Sequence, residues 1–154
     1  MLNQLRGVFS SLQRHRVKYV TISGIAAILH GVPRATFDLD ILIEATPENA
    51  RRLLDALLDA GLGTAALTTV EQILGHEVTV FRDRVRIDVQ TSTPGIKFAA
   101  VWKRREVMKH HRQQFCVLSR ADLIASKRAA GRPQDLEDVR LLELGGGGTG
   151  RRGK

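Results

Sequence analysis

Ile22-Ser23-Gly24-Ile25-Ala26-Ala27-Ile28-Leu29-His30-Gly31-Val32-Pro33-Arg34-Ala35-Thr36-Phe37-Asp38-Leu39-Asp40-Ile41 is the stretch that decides how this chain folds. The short apolar run Tyr19–Ile22 leads into it and reads as a buried strand. Ser23 and Gly24 break that strand. Ala26, Ala27 and Leu29 favour a helix over residues 25–30, and Gly31 and Pro33 stop it. Beyond the loop, Phe37, Leu39, Ile41 and Ile43 alternate with Asp38, Asp40, Leu42 and Glu44. That is strand periodicity, and it puts both aspartates on one face with Leu39 on the other.

Working outward, Leu2, Leu5, Val8, Phe9 and Leu12 recur at helical spacing and predict an opening amphipathic helix. Thr46 and Pro47 supply an N-cap and a first-turn proline for a helix with the stripe Ala50, Leu53, Leu54, Leu57 and Leu58, ended by Gly61. Residues 62–75 carry no clear pattern beyond Thr69, which caps a short helical piece over 70–74. Residues 76–81 and 85–91 form a hairpin, with Val85, Ile87 and Val89 on one face and Arg86, Asp88 and Gln90 on the other. A helix over 98–104 and a second small hairpin, residues 107–109 with 114–118, follow. Ser119 caps a helix over 121–130 ended by Gly131, and Pro133 opens the last helix through Val139, Leu141 and Leu142. The order predicts an α/β (α+β) fold: a small mixed β-sheet flanked by helices, in a single domain.

The length of 154 residues fits one domain, and 43% hydrophobic with 26% charged residues excludes a wholly disordered chain. Residues 1–144 form the domain, and residues 145–154, rich in glycine and arginine, read as a disordered tail. The net charge of +8 favours a polyanionic partner. Part of it clusters in Lys103, Arg104, Arg105, Lys109, His110, His111 and Arg112, expected to form a binding face, with Trp102 beside them. Cys116 has no partner for an internal disulfide, which fits a reducing compartment. The polar residues among the first twenty leave no signal-peptide centre or membrane span, so a cytoplasmic location is expected. A serine-hydrolase elbow is missing, His110 and His111 lack a second ligand pair at zinc spacing, and His30 reads as a helix end.

The chemistry lies in Asp38-Leu39-Asp40. Two carboxylates on one strand face raise each other's pKa unless a cation sits between them, and Mg²⁺, a hard ion that takes oxygen ligands, is the obvious candidate. A bare Asp-x-Asp is usually a solvated strand edge. Two neighbours argue otherwise: the Ser23-Gly24 turn opens a helix where backbone N–H groups favour phosphate, and Asp88 can supply a third carboxylate.

The block from Ile22 to Ile41 resembles the signature of the nucleotidyltransferase fold of the polymerase-beta superfamily, closest to the minimal bacterial enzymes that include AbiEii-like type IV toxins. The segment Asp122-Leu123-Ile124-Ala125-Ser126-Lys127-Arg128-Ala129-Ala130-Gly131-Arg132-Pro133-Gln134-Asp135-Leu136-Glu137-Asp138-Val139 is similar to their second block. The resemblance covers about residues 19–143. One departure is Ser23, where the family usually has glycine.

The resemblance implies transfer of a nucleoside monophosphate from an NTP, ATP among the candidates, to an acceptor hydroxyl with release of pyrophosphate. Asp38, Asp40 and Asp88 would hold Mg²⁺ (or Mn²⁺), with Asp88 also the base. Ser23, Gly24 and Arg34 would contact the nucleotide phosphates, and Lys127 would reach the triphosphate. Asp135 and Asp138, three apart in the last helix, are expected either to position Lys127 or Arg132 or to be surface acids. An RNA acceptor such as tRNA fits the basic charge, and a toxin would have a cognate antitoxin. The alternatives are an antibiotic nucleotidyltransferase and a non-catalytic nucleotide- or RNA-binding module.

Overall fold

The computed structural model describes residues 2–36 and 38–149. Phe37, read above as the first strand residue, and residues 150–154 of the tail lie outside them. The strands are β1 (Tyr19–Ile22), β2 (Asp38–Ile43), β3 (Val78–Arg82), β4 (Arg86–Gln90), β5 (Glu106–His110) and β6 (Gln113–Val117). They form one mixed sheet in the order β3-β4-β2-β1-β6-β5. The helices are α1 (Leu2–Arg14), α2 (Ser23–Leu29), α3 (Pro47–Asp59), α4 (Val70–Leu74), α5 (Phe98–Arg104), α6 (Arg120–Ala130) and α7 (Pro133–Thr149). A 3₁₀ turn, Gly63–Leu67, fills part of the stretch that carried no sequence pattern.

The sheet order follows from which strands are apolar on both sides. β1 is buried along its whole length and sits between β2, antiparallel, and β6, parallel. β2 in turn pairs in parallel with β4. Leu39, Ile41, Ile43, Ile87 and Val89 are buried on the face opposite the acids. Tyr19, in register with Ile43, belongs to that face, and Phe9 of α1 packs on it at 6.4 Å between ring centroids. α1 and α3 pack together, α2 lies on β1 and β2 and contacts α6, and α6 packs on α7.

The local signals act where expected. Thr46 accepts from the Asn49 N–H at the start of α3, Thr69 and Gln72 form a reciprocal capping box on α4, and Ser119 accepts from the Asp122 N–H on α6. Gly131 ends α6 in the left-handed region, φ 69°. α7 runs through Thr149, into the stretch read from the sequence as a tail. Arg120 holds the helix at that point: its guanidinium donates to the Leu142 carbonyl and lies beside Gly145, where a Cβ would come within 3.2 Å. Among the described residues, no helix is long and apolar enough to cross a membrane.

One buried side chain ties three elements together. Asn49 of α3 accepts from the Lys18 N–H at 2.8 Å and donates to the carbonyls of Lys18 at 3.0 Å and Glu44 at 2.9 Å. It thereby joins the entry to β1, the exit from β2 and the first turn of α3, and is only 2% exposed. Removing it leaves the Lys18 N–H without a partner and takes one of two donors from each carbonyl, which keep only the N–H groups of Glu44 and Thr46. Asn49→Ala is expected to lower stability by about 1–3 kcal/mol, read as a shift in the urea unfolding midpoint with little change in slope.

Candidate active site

β2 and β4 run parallel with Asp38 opposite Arg86, Asp40 opposite Asp88 and Leu42 opposite Gln90. Residues paired in this way point to the same face, so this register collects the three predicted acids. They line a cleft of about 410 Å³, a size typical of small-ligand sites. Ser23 and Gly24 close one side. Arg34, Lys127, Arg132, Gln134 and Asp135 form the facing wall. Every residue expected at the site therefore borders one cleft.

Burial, followed by the nearby Asp88 and Asp38 carboxylates, pushes the Asp40 carboxyl up to about 7, and Arg86 offsets only part of this. Arg86 had been placed only on the polar strand face, yet it makes the closest contact in the acidic cluster. Its Nε donates to Asp88 Oδ1 at 2.9 Å and its Nη2 to Asp88 Oδ2 at 3.2 Å, while Nε lies 3.9 Å from Asp38 Oδ2. A guanidinium two residues away on the same strand face is a signal that the sequence already contained.

The facing wall is an ion-pair network. Lys127 is 5% exposed, so it is neither a solvated lysine nor free to extend. Its Nζ lies 2.8 Å from Asp138 Oδ2 and 3.7 Å from Asp135 Oδ1. Arg34 Nη1 donates to the same Asp138 oxygen at 2.6 Å, and Gln134 donates to the other at 3.1 Å. Arg132 grips Asp135 with Nε and Nη2, and its backbone N–H also donates to that carboxylate. Burial would raise the Asp135 carboxyl, but Arg132 and Lys127 hold it below the usual range. Asp135 and Asp138 are thus buried partners of the cleft cations, the first of the two roles the sequence left open.

Ser23 sits at φ 61°, the left-handed region where glycine is the easy residue. The strain is about 1–2 kcal/mol for a side-chain-bearing residue, so serine is tolerated and its hydroxyl borders the cleft. Gly24 is close-packed: a Cβ there would come within 3.2 Å of Thr36 Cγ2, so the threonine side chain would have to give way. His30 is a helix end, as expected, its Nε2 2.8 Å from the Leu118 carbonyl.

The basic segment 103–112 does not form a single face. β6 is parallel to β1 and so ends beside the site, whereas β5 begins opposite Val117 and runs away from it. Lys103 and Arg104 therefore lie toward the site end, and the turn at 111–112 lies at the far end of the hairpin. Trp102 is occupied by its own neighbours, with Phe98 stacked at 5.5 Å and the Arg105 guanidinium 3.6 Å over its ring.

A mixed sheet carrying an Asp-x-Asp strand, a third aspartate on its parallel neighbour and a cationic wall across the cleft has the features expected of the nucleotidyltransferase fold. The chain belongs to the family described as nucleotidyltransferase of unknown function (DUF6036), whose model matches residues 2–145. That match stands at the level of the nucleotidyltransferase family and does not single out the AbiEii-like subset. No curated protein matches the chain.

An acid whose pKa rises on folding makes the native state bind its proton more tightly. The stability linked to Asp40 is therefore present below the ordinary carboxylate pKa and is lost as pH rises from about 4 through about 7. Without divalent ions, Asp40→Asn should be more stable than wild type by about 1–2 kcal/mol near pH 8, after discounting for solvent screening, and the gain should vanish near pH 4. Thermal melts across that range check this; a gain independent of pH would mean that the carboxylate cluster is not its source.

Proposed function

We propose that this chain is a divalent-metal-dependent nucleotidyltransferase that moves a nucleoside monophosphate from an NTP to an acceptor hydroxyl, with RNA, tRNA in particular, as the acceptor. The observation that carries the reading is the convergence of Asp38, Asp40 and Asp88 on one cleft faced by Arg34, Lys127 and Arg132.

The donor set suits Mg²⁺ or Mn²⁺. All three groups are hard carboxylate oxygens, and the Asp40 carboxyl, raised by burial and then by the Asp88 and Asp38 charges, sits where a cation would favour its ionised form. Among the described residues, no three His, Cys, Asp or Glu side chains form a ready-made metal cage. Mg²⁺ does not require one, because it is commonly held by one or two carboxylates together with substrate phosphates. Asp38 and Asp40 would hold it, joined by Asp88. When bound, such an ion neutralises charge on the reacting phosphates and activates the attacking oxygen.

The remaining roles fall to the chain itself. Arg132 is the most exposed cation on the facing wall, its side chain 73% accessible, and is the group best able to meet an incoming triphosphate. Lys127 and Arg34, fixed on Asp138, contribute positive charge at set positions at no further entropic cost. The Ser23 hydroxyl can donate to a phosphate oxygen. Asp88 would accept the proton of the attacking hydroxyl. The net charge of +8 supports an RNA acceptor. If the chain is a toxin of the AbiEii-like kind, a cognate antitoxin is its protein partner.

The test is to incubate purified protein with Mg²⁺ or Mn²⁺, each α-labelled NTP in turn, and total RNA. Label should enter RNA with release of pyrophosphate, and Asp38→Ala or Asp40→Ala should reduce the rate by about a thousandfold or more. Label in an added aminoglycoside instead of RNA would move the acceptor assignment to small molecules. No transfer to any acceptor, with NTP binding indifferent to Mg²⁺ and to Asp40, would favour a non-catalytic binding module.

A further inference from the structure

We infer that Arg86 is a built-in counter-cation of the acidic triad and competes with a divalent ion for Asp88. The inference rests on the proposed metal site at Asp38, Asp40 and Asp88. Both oxygens of Asp88 are engaged by the one guanidinium, at 2.9 and 3.2 Å, and the same group reaches toward Asp38 at 3.9 Å. A carboxylate gripped in this two-pronged way has one lone pair on each oxygen taken and much of its charge neutralised, so it is a weaker ligand for a metal. Asp88 therefore becomes a full ligand only when Arg86 withdraws.

Among the described residues, the other cations of the cleft are paired elsewhere. Arg132 is committed to Asp135, and Lys127 and Arg34 to Asp138. Arg82 faces the same side of the sheet directly opposite Arg86 on β3, yet among the described residues it makes no ion pair. The two arginines thus form an internal comparison: same face of the sheet, same charge, paired register, but only Arg86 is on the acids. The arrangement lowers the affinity of the substrate-free protein for a bare divalent ion. It also makes a phosphate-bearing substrate the natural partner for the displaced guanidinium.

Titration of the full chain with Mn²⁺ alone, followed by the paramagnetic resonance signal of the free ion, tests this. Arg86→Gln and Arg86→Ala should bind Mn²⁺ about tenfold or more tightly than wild type, while Arg82→Gln stays within about twofold. Equal or weaker binding in both Arg86 variants overturns the inference, since it would make Arg86 a support for the metal ligand. So would an equal gain in Arg82→Gln, which would reduce the effect to general surface charge. Asp40→Asn in the same titration reports on the underlying reading. Wild-type binding that survives Asp40→Asn unaltered removes the proposed metal site, and the inference with it. Binding lost in Asp40→Asn but not strengthened by either Arg86 change sinks the inference alone.

Discussion

Asp40 and Asp88 lie directly opposite each other on parallel strands, and the rest of the cleft is arranged around that pairing. Like charges at opposed sheet positions are destabilising, and burial deepens the penalty by pushing Asp40 up to about 7. The other face of the same two strands outweighs it. Leu39, Ile41, Ile87 and Val89 are all 0–1% exposed there, and full burial of such a side chain is worth roughly 1.5–3 kcal/mol. Four of them exceed the few kcal/mol that raising the Asp40 carboxyl to about 7 represents. Register therefore follows the apolar face, and the acids are carried into opposition as a consequence. A slip of one residue would turn the apolar set outward.

The facing wall meets a similar constraint in a different way. Asp138 is fully buried and its charge is matched by Arg34 and Lys127, with Gln134 on the remaining oxygen. Its partners come from the loop before β2, from α6 and from α7 itself. Removing Asp138 would leave the buried Lys127 with only the longer contact to Asp135, which is costly. The network thus fixes the spacing between the two terminal helices and the Asp-x-Asp strand. The cations are held in place before any ligand arrives, and Arg132 remains the exposed member.

Much of this was legible in the order of residues. Period-two alternation identified β2 and β4 and put Asp38, Asp40 and Asp88 on polar faces, and Thr46, Thr69, Ser119, Gly61 and Gly131 marked helix ends through local chemistry. What was not legible depends on register and on contacts across the chain. Arg86 was seen on the correct face, but its grip on Asp88 requires rotamers that periodicity does not specify. Lys127 carries no mark of burial until α7 packs on α6. Asn49 looks like an ordinary first-turn helix residue until the ends of β1 and β2 converge on it. The basic run from Lys103 to Arg112 is continuous in sequence, but a strand reversal separates its two ends.

That separation bears on what the net charge of +8 can do. Within the cleft, Arg86, Lys127, Arg132 and Arg34 are all matched to carboxylates, so the surplus lies elsewhere on the molecule. The 111–112 turn is separated from the site end of β5 by about four strand residues, roughly 13 Å, which exceeds the screening length of about 8 Å at physiological ionic strength. Charge at that distance hardly alters the potential felt by Asp40 or Asp88. It can act on a long polyanion that touches both ends of the hairpin, but not on a mononucleotide held in the cleft. The basic surface thus bears on how a large acceptor approaches. The balance of charge at the three acids is set locally, by Arg86 and by whatever cation displaces it.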